Sequence, residues 1–381
     1  MKGAYLPVMK ELVNIREVEN PDIALVKQLF KNNLWFLDRL IFTSAFNTIM
    51  KEKETGGGTS FIATMNGEVI GSISIRLSDI KGEQHALIDC VVTAKEMYGQ
   101  GIAGKILNVV ISWLENKNCR HIYATVDRYN SRSWNMFIHN GFSIFEFPAQ
   151  MKQFGTSFFK MWYKEGYFYG IGLYFLKKQQ SGQVIEESGQ LYHHCLGFTG
   201  FLLPWFFLSL WDGSVLALFP FLIPLALISF LGHEYGHALI ARLLGFKTSF
   251  KANEPGILFS SVLSMLGGIY PFYGSTYIRE KDWSYVSDKN SKTNGLIYLA
   301  GPIISLTIAL LFKNLALISE GYWQNAFSMG VFINIALAVA NLLPIRASGG
   351  FPFDGTKIYR WNKGCWGLTV AAVAIIIFFF L

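Results

Sequence analysis

From Ser214 the chain runs through more than four helical turns without an ionisable side chain. Still inside apolar sequence, it then places Gly232-His233-Glu234-Tyr235-Gly236-His237. About 20 consecutive apolar residues suffice for one helix to span a bilayer. Within such a span an ionisable side chain costs about 2.5–3.5 kcal/mol or more, so three of them within five residues mark chemistry and not packing. Imidazoles at i and i+4 share one helix face and can share one metal ion, and the carboxylate between them can work on a water.

Other apolar stretches are Cys195–Trp211, Leu296–Phe312, Trp323–Ile345 and Trp366–Leu381. A further one, Gly256–Tyr277, is broken by Gly267, Gly268, Pro271 and Gly274 and is expected to re-enter or form a hairpin. Residues 193–381 therefore predict an all-α polytopic membrane bundle of five to six hydrophobic segments. Residues 1–192 carry 21 Lys+Arg and 18 Asp+Glu, against 12 and 8 in the rest, so the first half reads as soluble. The expected domains are 1–180 and 193–381, joined by a polar, Gly/Ser-containing linker over 181–192. Intrinsic disorder is excluded by 33 Phe, 17 Tyr and 10 Trp. The net charge of +7 includes no run of like charges, so nucleic acid is not an expected partner. Cys90, Cys119, Cys195 and Cys365 are far apart and read as reduced.

The first half alternates strands and helices. Leu12–Val18 reads as a strand and Asp22–Leu40 as a helix. Phe61–Met65 and Val69–Ile75 flank Asn66-Gly67, the strongest short-range hairpin signal. Strand Ala86–Val92 leads into the glycine loop Tyr98-Gly99-Gln100-Gly101-Ile102-Ala103-Gly104 and a helix with Ile106, Leu107, Val110, Ile111 and Leu114 on one face. Strand His121–Val126, helix Ser131–Ile138 and strand Phe142–Phe147 follow. The aromatic run from Trp162 to Tyr174 reads as a last strand plus an element on a membrane surface. Amides of a glycine loop at a helix N-terminus can hold a phosphate.

In this order, "FIATMNGEVIGSISI", "GQGIAGKIL" and "NSRSWNMFIHNGF" resemble the GNAT N-acetyltransferase superfamily over about residues 12–165. The resemblance implies an α+β domain, a mixed central sheet with flanking helices, that binds acetyl-CoA. Gly99, Gln100, Gly101, Ile102, Ala103 and Gly104 would hold its pyrophosphate, Cys90, Val91 and Val92 would pair with its pantetheine arm, and Asn130 would sit near that arm. The position where many relatives have a thiolate-protonating Tyr is Phe137, and a phenyl ring donates no proton. Asp89 and Asp127, near strand ends, are solvated carboxylates or bases on this reading.

A zinc site needs a third protein ligand and an open position. Past the second apolar segment, Asp354 is the one acidic residue in an apolar setting, "FPFDG", and is read as that ligand. The second half resembles the site-2 protease family of intramembrane zinc metalloproteases, archaeal members above all. His233, Glu234 and His237 match its HExxH, "LAGPIIS" its AGP helix start with Ser305 where Asn is common, and "NLLPIRASGGFPFDG" its Asn…Asp-Gly motif. That resemblance implies Glu234 as catalytic base and Asn341 as a residue steadying substrate or oxyanion. Ala347–Gly350 reads as an insertion between Asn341 and Asp354. His193 and His194 read as interfacial, and His85, His121 and His139 receive no role.

Charge placement sets the expected orientation. Arg242, Lys247, Lys251, Arg279, Arg346, Lys357, Arg360 and Lys363 fall on one side, the cytosolic side under the positive-inside rule, with the N-terminal domain. The expected protein is a multi-pass cell-membrane zinc metalloprotease acting on membrane proteins or peptides within the lipid bilayer, with a cytosolic acyl-CoA-binding domain. The competing readings are a bifunctional N-acetyltransferase and a zinc-binding membrane scaffold without proteolysis.

Overall fold

The computed structural model describes residues 13–80, 82–180, 185–268, 272–280, 283–284, 287–347 and 351–380. Asn66 and Gly67 both take positive φ, 52° and 83°, the pair of left-handed residues that a two-residue turn between twisted strands requires. The first half runs β1 (Asn14–Glu17), α1 (Asp22–Asn33), α2 (Phe36–Glu52), β2 (Gly58–Met65), β3 (Glu68–Ile80), β4 (Glu83–Thr93), α3 (Ile102–Asn116) and β5 (His121–Asp127). It continues with α4 (Ser131–His139), β6 (Phe142–Ile144), α5 (Phe147–Phe154), α6 (Phe158–Lys164) and β7 (Leu173–Lys178). The helix read over Asp22–Leu40 is two helices, because Leu34 and Trp35 are extended and break it.

These strands form one sheet in the order β1-β2-β3-β4-β5-β7-β6, antiparallel throughout except for the β4–β5 pair. The apolar face of α3 covers one side through Ile106, Leu107, Val110 and Leu114. On the other side α5 and α6 close an aromatic cluster of Tyr123, Phe145, Phe158, Trp162 and Phe175. Trp162 and Tyr167 are thus buried in the core of the first half, whereas Tyr163 of the same aromatic run is exposed. The reason is β7, which inserts between β5 and β6 and presents Phe175 to them.

The second half runs α7 (Gln190–Ser209), α8 (Gly213–Leu243), β8 (Thr248–Ala252), α9 (Glu254–Met265), β9 (Gly274–Ile278), α10 (Ser291–Ile318), α11 (Gly321–Leu342), β10 (Arg346–Ala347), β11 (Phe351–Pro352), α12 (Asp354–Trp361) and α13 (Lys363–Phe380). Among the described residues three helices, α8, α10 and α11, are long and apolar enough to cross a membrane, fewer than the five to six segments expected. The polar turn Gln190–His194 shortens the apolar part of α7, and the apolar helix at the end of the chain is also short. Nor is this half all-α. Gly256–Tyr277 is α9 followed by β9, which pairs antiparallel with β8. Beyond α11, β10 and β11 form a small hairpin that accommodates the extra residues before Asp354; Ser348–Gly350 lie outside the described residues.

Candidate metal centre

Close approach of α8 and α10 builds the site. Gly232 and Gly236, one turn apart on α8, face Ile308 and Ile304 of α10, where a Cβ on either glycine would come within 2.5 Å of an isoleucine methyl. Opposite them, Gly301 of α10 lies against the imidazoles. A Cβ there would stand 2.4 Å from His237 Cε1 and 2.7 Å from His233 Cε1. The glycine of "LAGP" is therefore a cradle for two rings.

Each ring is aimed by its other nitrogen. His233 Nδ1 is 3.0 Å from Ser305 Oγ, and His237 Nδ1 is 2.9 Å from the Ile297 carbonyl, both on α10. The two Nε2 atoms converge to 3.3 Å. Asp354 opens α12 and brings Oδ2 to 3.4 Å from His233 Nε2 and 3.2 Å from His237 Nε2. Gly355 makes this placement possible, since a Cβ there would stand 2.1 Å from the Leu342 carbonyl at the end of α11. All three residues are buried, and among the described residues Asp354 Oδ2 faces no polar group except these two nitrogens. An orphaned carboxylate oxygen facing two convergent imidazole nitrogens is a donor set suited to a divalent metal, and these residues could hold one.

Glu234 is held beside the pair by β9. Thr276 Oγ1 donates to its Oε2 at 2.7 Å and Tyr273 OH to its Oε1 at 3.3 Å. Tyr298 OH in turn donates to the Thr276 carbonyl at 2.8 Å. Asn341 is buried on α11, with its Nδ2 donating to the Leu337 carbonyl of its own helix. Lys357, one turn beyond Asp354, places Nζ 3.4 Å from Asp354 Oδ1. The sequence reading gave no role to Tyr273 or Thr276 and took Lys357 for a cation on the cytosolic side.

In the first half, β4 and β5 pair only from His85/His121 to Ile88/Ala124 and then part. The Cys90–Val92 edge that faced β5 is thereby left open. Cys90 has φ 48°, and its N–H is taken by Asp89 Oδ1 at 2.8 Å, so Asp89 stabilises this bulge. Gly99 and Gly101 have φ of 82° and 74°, and a Cβ at Gly99, Gly101 or Gly104 would meet nothing within 4 Å among the described residues. Ala103 is half-buried beside them, whereas Ile102 is buried in the core. The Gln100 N–H donates to Met97 O and is already committed. Asn130 Oδ1 caps α4 through the Ser133 N–H at 3.3 Å. Phe137 is buried against Phe142 in the core, which suits a phenyl ring.

Several residues have partners that spacing did not suggest. Asp127 Oδ1 accepts from the Tyr129 N–H at 2.8 Å. His193 is buried, 3.0 Å from Glu146 Oε1, and is not interfacial. Glu83, His85 and His121 gather at the start of the β4–β5 pair, with His121 Nε2 2.9 Å from Glu83 Oε2. Their ring centroids are 4.5 Å apart with planes inclined by 34°. Burial holds the His121 pKa below its usual 6.5, so this cluster is a tilted pair of rings joined to Glu83 by a hydrogen bond.

Two family profiles match the chain: Acetyltransferase (GNAT) family over residues 30–142, and Peptidase family M50 over residues 220–322. The second stretch holds His233, Glu234, His237 and Ser305 and ends before Asp354. A candidate zinc metalloprotease of Methanocaldococcus jannaschii is 33% identical over 144 residues, which are 36% of this chain and 69% of that protein. A GNAT-family structure from Desulfovibrio desulfuricans is similar at 16% identity and TM-score 0.31, over 35% of this chain and 86% of that one. A GNAT-family N-acetyltransferase of Escherichia coli, solved with CoA, is similar at 16% identity and TM-score 0.29, over 37% and 73%. With HExxH, its aiming partners on α10 and the orphaned Asp354 oxygen in one place, the chain carries a GNAT acetyltransferase domain in its first half and belongs to peptidase family M50.

Proposed function

We propose that the chain is a membrane-embedded zinc metalloprotease that hydrolyses peptide bonds of membrane-associated substrates and carries an acyl-CoA-binding regulatory domain. The observation that carries the first part is Asp354 Oδ2, which among the described residues faces only two convergent Nε2 atoms. His233, His237 and Asp354 would hold Zn2+, which when bound supplies Lewis acidity and a water of lowered pKa. Glu234 accepts the proton of the attacking water and passes it to the departing amine. Thr276 and Tyr273 keep its carboxylate in one orientation for both transfers. Gly301 and the Ser305 and Ile297 contacts fix both rings, so the site needs little rearrangement to act. Asn341, turned into its own helix, would have to rotate to steady a substrate.

Cationic residues between the helices, Arg242, Lys247 and Arg279 among them, support an orientation with the first half in the cytosol of a multi-pass cell-membrane protein, whereas Lys251 and Lys357 are buried in ion pairs and do not bear on it. The open edge at Cys90–Val92 and the uncovered glycine loop support acetyl-CoA binding. Regulation is favoured over acetyl transfer, because Phe137 is locked in the core while Asp89 and Asp127 hold backbone amides.

Comparison of membrane-protein fragments in cells producing the active chain or its Glu234→Gln variant tests the protease reading. Fragments confined to the active chain are expected, and identical patterns refute it. Calorimetry on the full chain with millimolar acetyl-CoA tests the second part, where an absence of heat removes it.

A further inference from the structure

The turn that follows β5 reaches out of the first half into the second. Arg128 Nη1 donates to the Ala252 carbonyl at 2.6 Å, and Nη2 donates to Glu254 Oε2 at 3.1 Å. Asn130 bridges to Ser284, and the Ser131 N–H donates to the Trp283 carbonyl at 2.9 Å. Between them Tyr129 is 2% exposed, its ring 4.5 Å from that of Tyr277. Its hydroxyl donates to Ser275 Oγ at 2.7 Å and accepts from Lys357 Nζ at 3.0 Å.

Lys357 is also 2% exposed, and its ammonium lies 3.4 Å from the Tyr298 ring centroid and 3.4 Å from Asp354 Oδ1. A buried ammonium needs acceptors. The phenol has one proton, and Ser275 takes it, so the oxygen lone pairs face Lys357. The ammonium is thereby stationed on Oδ1 alone, and Oδ2 stays clear toward the imidazoles. Without the phenol oxygen, the carboxylate is the strongest acceptor left to Lys357. The ammonium would close on both of its oxygens and compete with a metal for them.

We propose that Tyr129, a residue of the acetyltransferase half, is a positioning residue of the metal centre: it holds Lys357 on one oxygen of Asp354 and so keeps the other available as a ligand. This rests on the reading of His233, His237 and Asp354 as a metal site. It also gives the first half a direct hold on that site, one residue from Asn130.

The test is zinc affinity of the full chain in detergent, measured by competition with a chelator, for wild type, Tyr129→Phe, Lys357→Met and the double variant. Outer partners of metal ligands change affinity by about 10–100-fold when removed, and Tyr129→Phe is expected to weaken binding within that range. Lys357→Met, which removes the competitor, is expected to bind at least as tightly as wild type, and adding Tyr129→Phe to it is expected to change nothing. Wild-type affinity in Tyr129→Phe overturns the proposal, as does an equal loss with and without Lys357, the mark of a packing role. A His233→Ala control separates the premise. If zinc content is the same with and without that imidazole, the metal site itself is wrong and the proposal goes with it.

Discussion

Lys251 of β8 places its ammonium 2.8 Å from Glu146 Oε1, at the start of α5, and so joins the two halves by a buried ion pair. His193 adds a contact of 3.0 Å to the same oxygen. Burial works to raise the Glu146 pKa, but these partners overcome it and bring the group to about 2. Removing one member of a buried pair strands the other charge, at a cost of about 3–5 kcal/mol. Glu146→Ala is expected to lower the thermal midpoint of the detergent-solubilised chain sharply. Glu146→Leu combined with Lys251→Met is expected to recover much of the loss. An unchanged midpoint in Glu146→Ala counts against the pair.

Gly301→Ala inserts a methyl where the two imidazoles sit. The backbone of α10 tolerates alanine, so the strain falls on the rings. Displacement of a reacting group by about 1 Å costs on the order of 10²-fold in rate. The variant is expected to keep its helix content by circular dichroism, to lose bound zinc by mass spectrometry, and to lose cleavage by at least that factor.

Ser305→Ala removes the hydroxyl that aims His233. A zinc affinity lower by about 10–100-fold is expected from loss of such an outer partner, with Ser305→Thr closer to wild type. Equal affinity in all three proteins would show that the ring is oriented by packing alone.

Acid acts on the first half through His85. Burial, helped by the neighbouring His121, pushes its pKa from 6.5 down to about 4. The unfolded chain therefore takes up a proton that the folded chain refuses between those values, and stability falls as pH drops from about 6.5 to 4. Glu146 has the opposite charge and a depressed pKa, so its contribution is present above 4.5 and lost as pH falls toward 2. Unfolding midpoints measured across this range should decline in both windows, and His85→Gln should flatten the upper one.

The pair His233 and His237 could be read directly because a helix turns local spacing into geometry. Asp354 was legible for another reason, as a solitary acid in apolar sequence. The same logic was blind to Glu83, His85 and His121, which meet only because β4 and β5 pair in parallel with His85 opposite His121. Tyr129 and Lys357 are 228 positions apart, and no periodicity links residues on different elements. The hairpin β8–β9 was hidden by composition, since Gly256–Tyr277 is apolar enough to pass for part of a bundle. What marked it was the run of Gly and Pro residues, which a regular spanning helix does not carry. The strand pair in turn supplies Thr276, the hydroxyl nearest the Glu234 carboxylate.

Arg128 shows what the seam means for how such a chain can be cut or recombined. Its guanidinium belongs to the first half, while two of its acceptors, the Ala252 carbonyl and Glu254, belong to the second. A scissors cut in the linker would bare an arginine shaped for a receptor left behind on the membrane, and a foreign module grafted in its place would leave that receptor vacant. In this chain the two halves are matched parts, fitted to each other through that guanidinium.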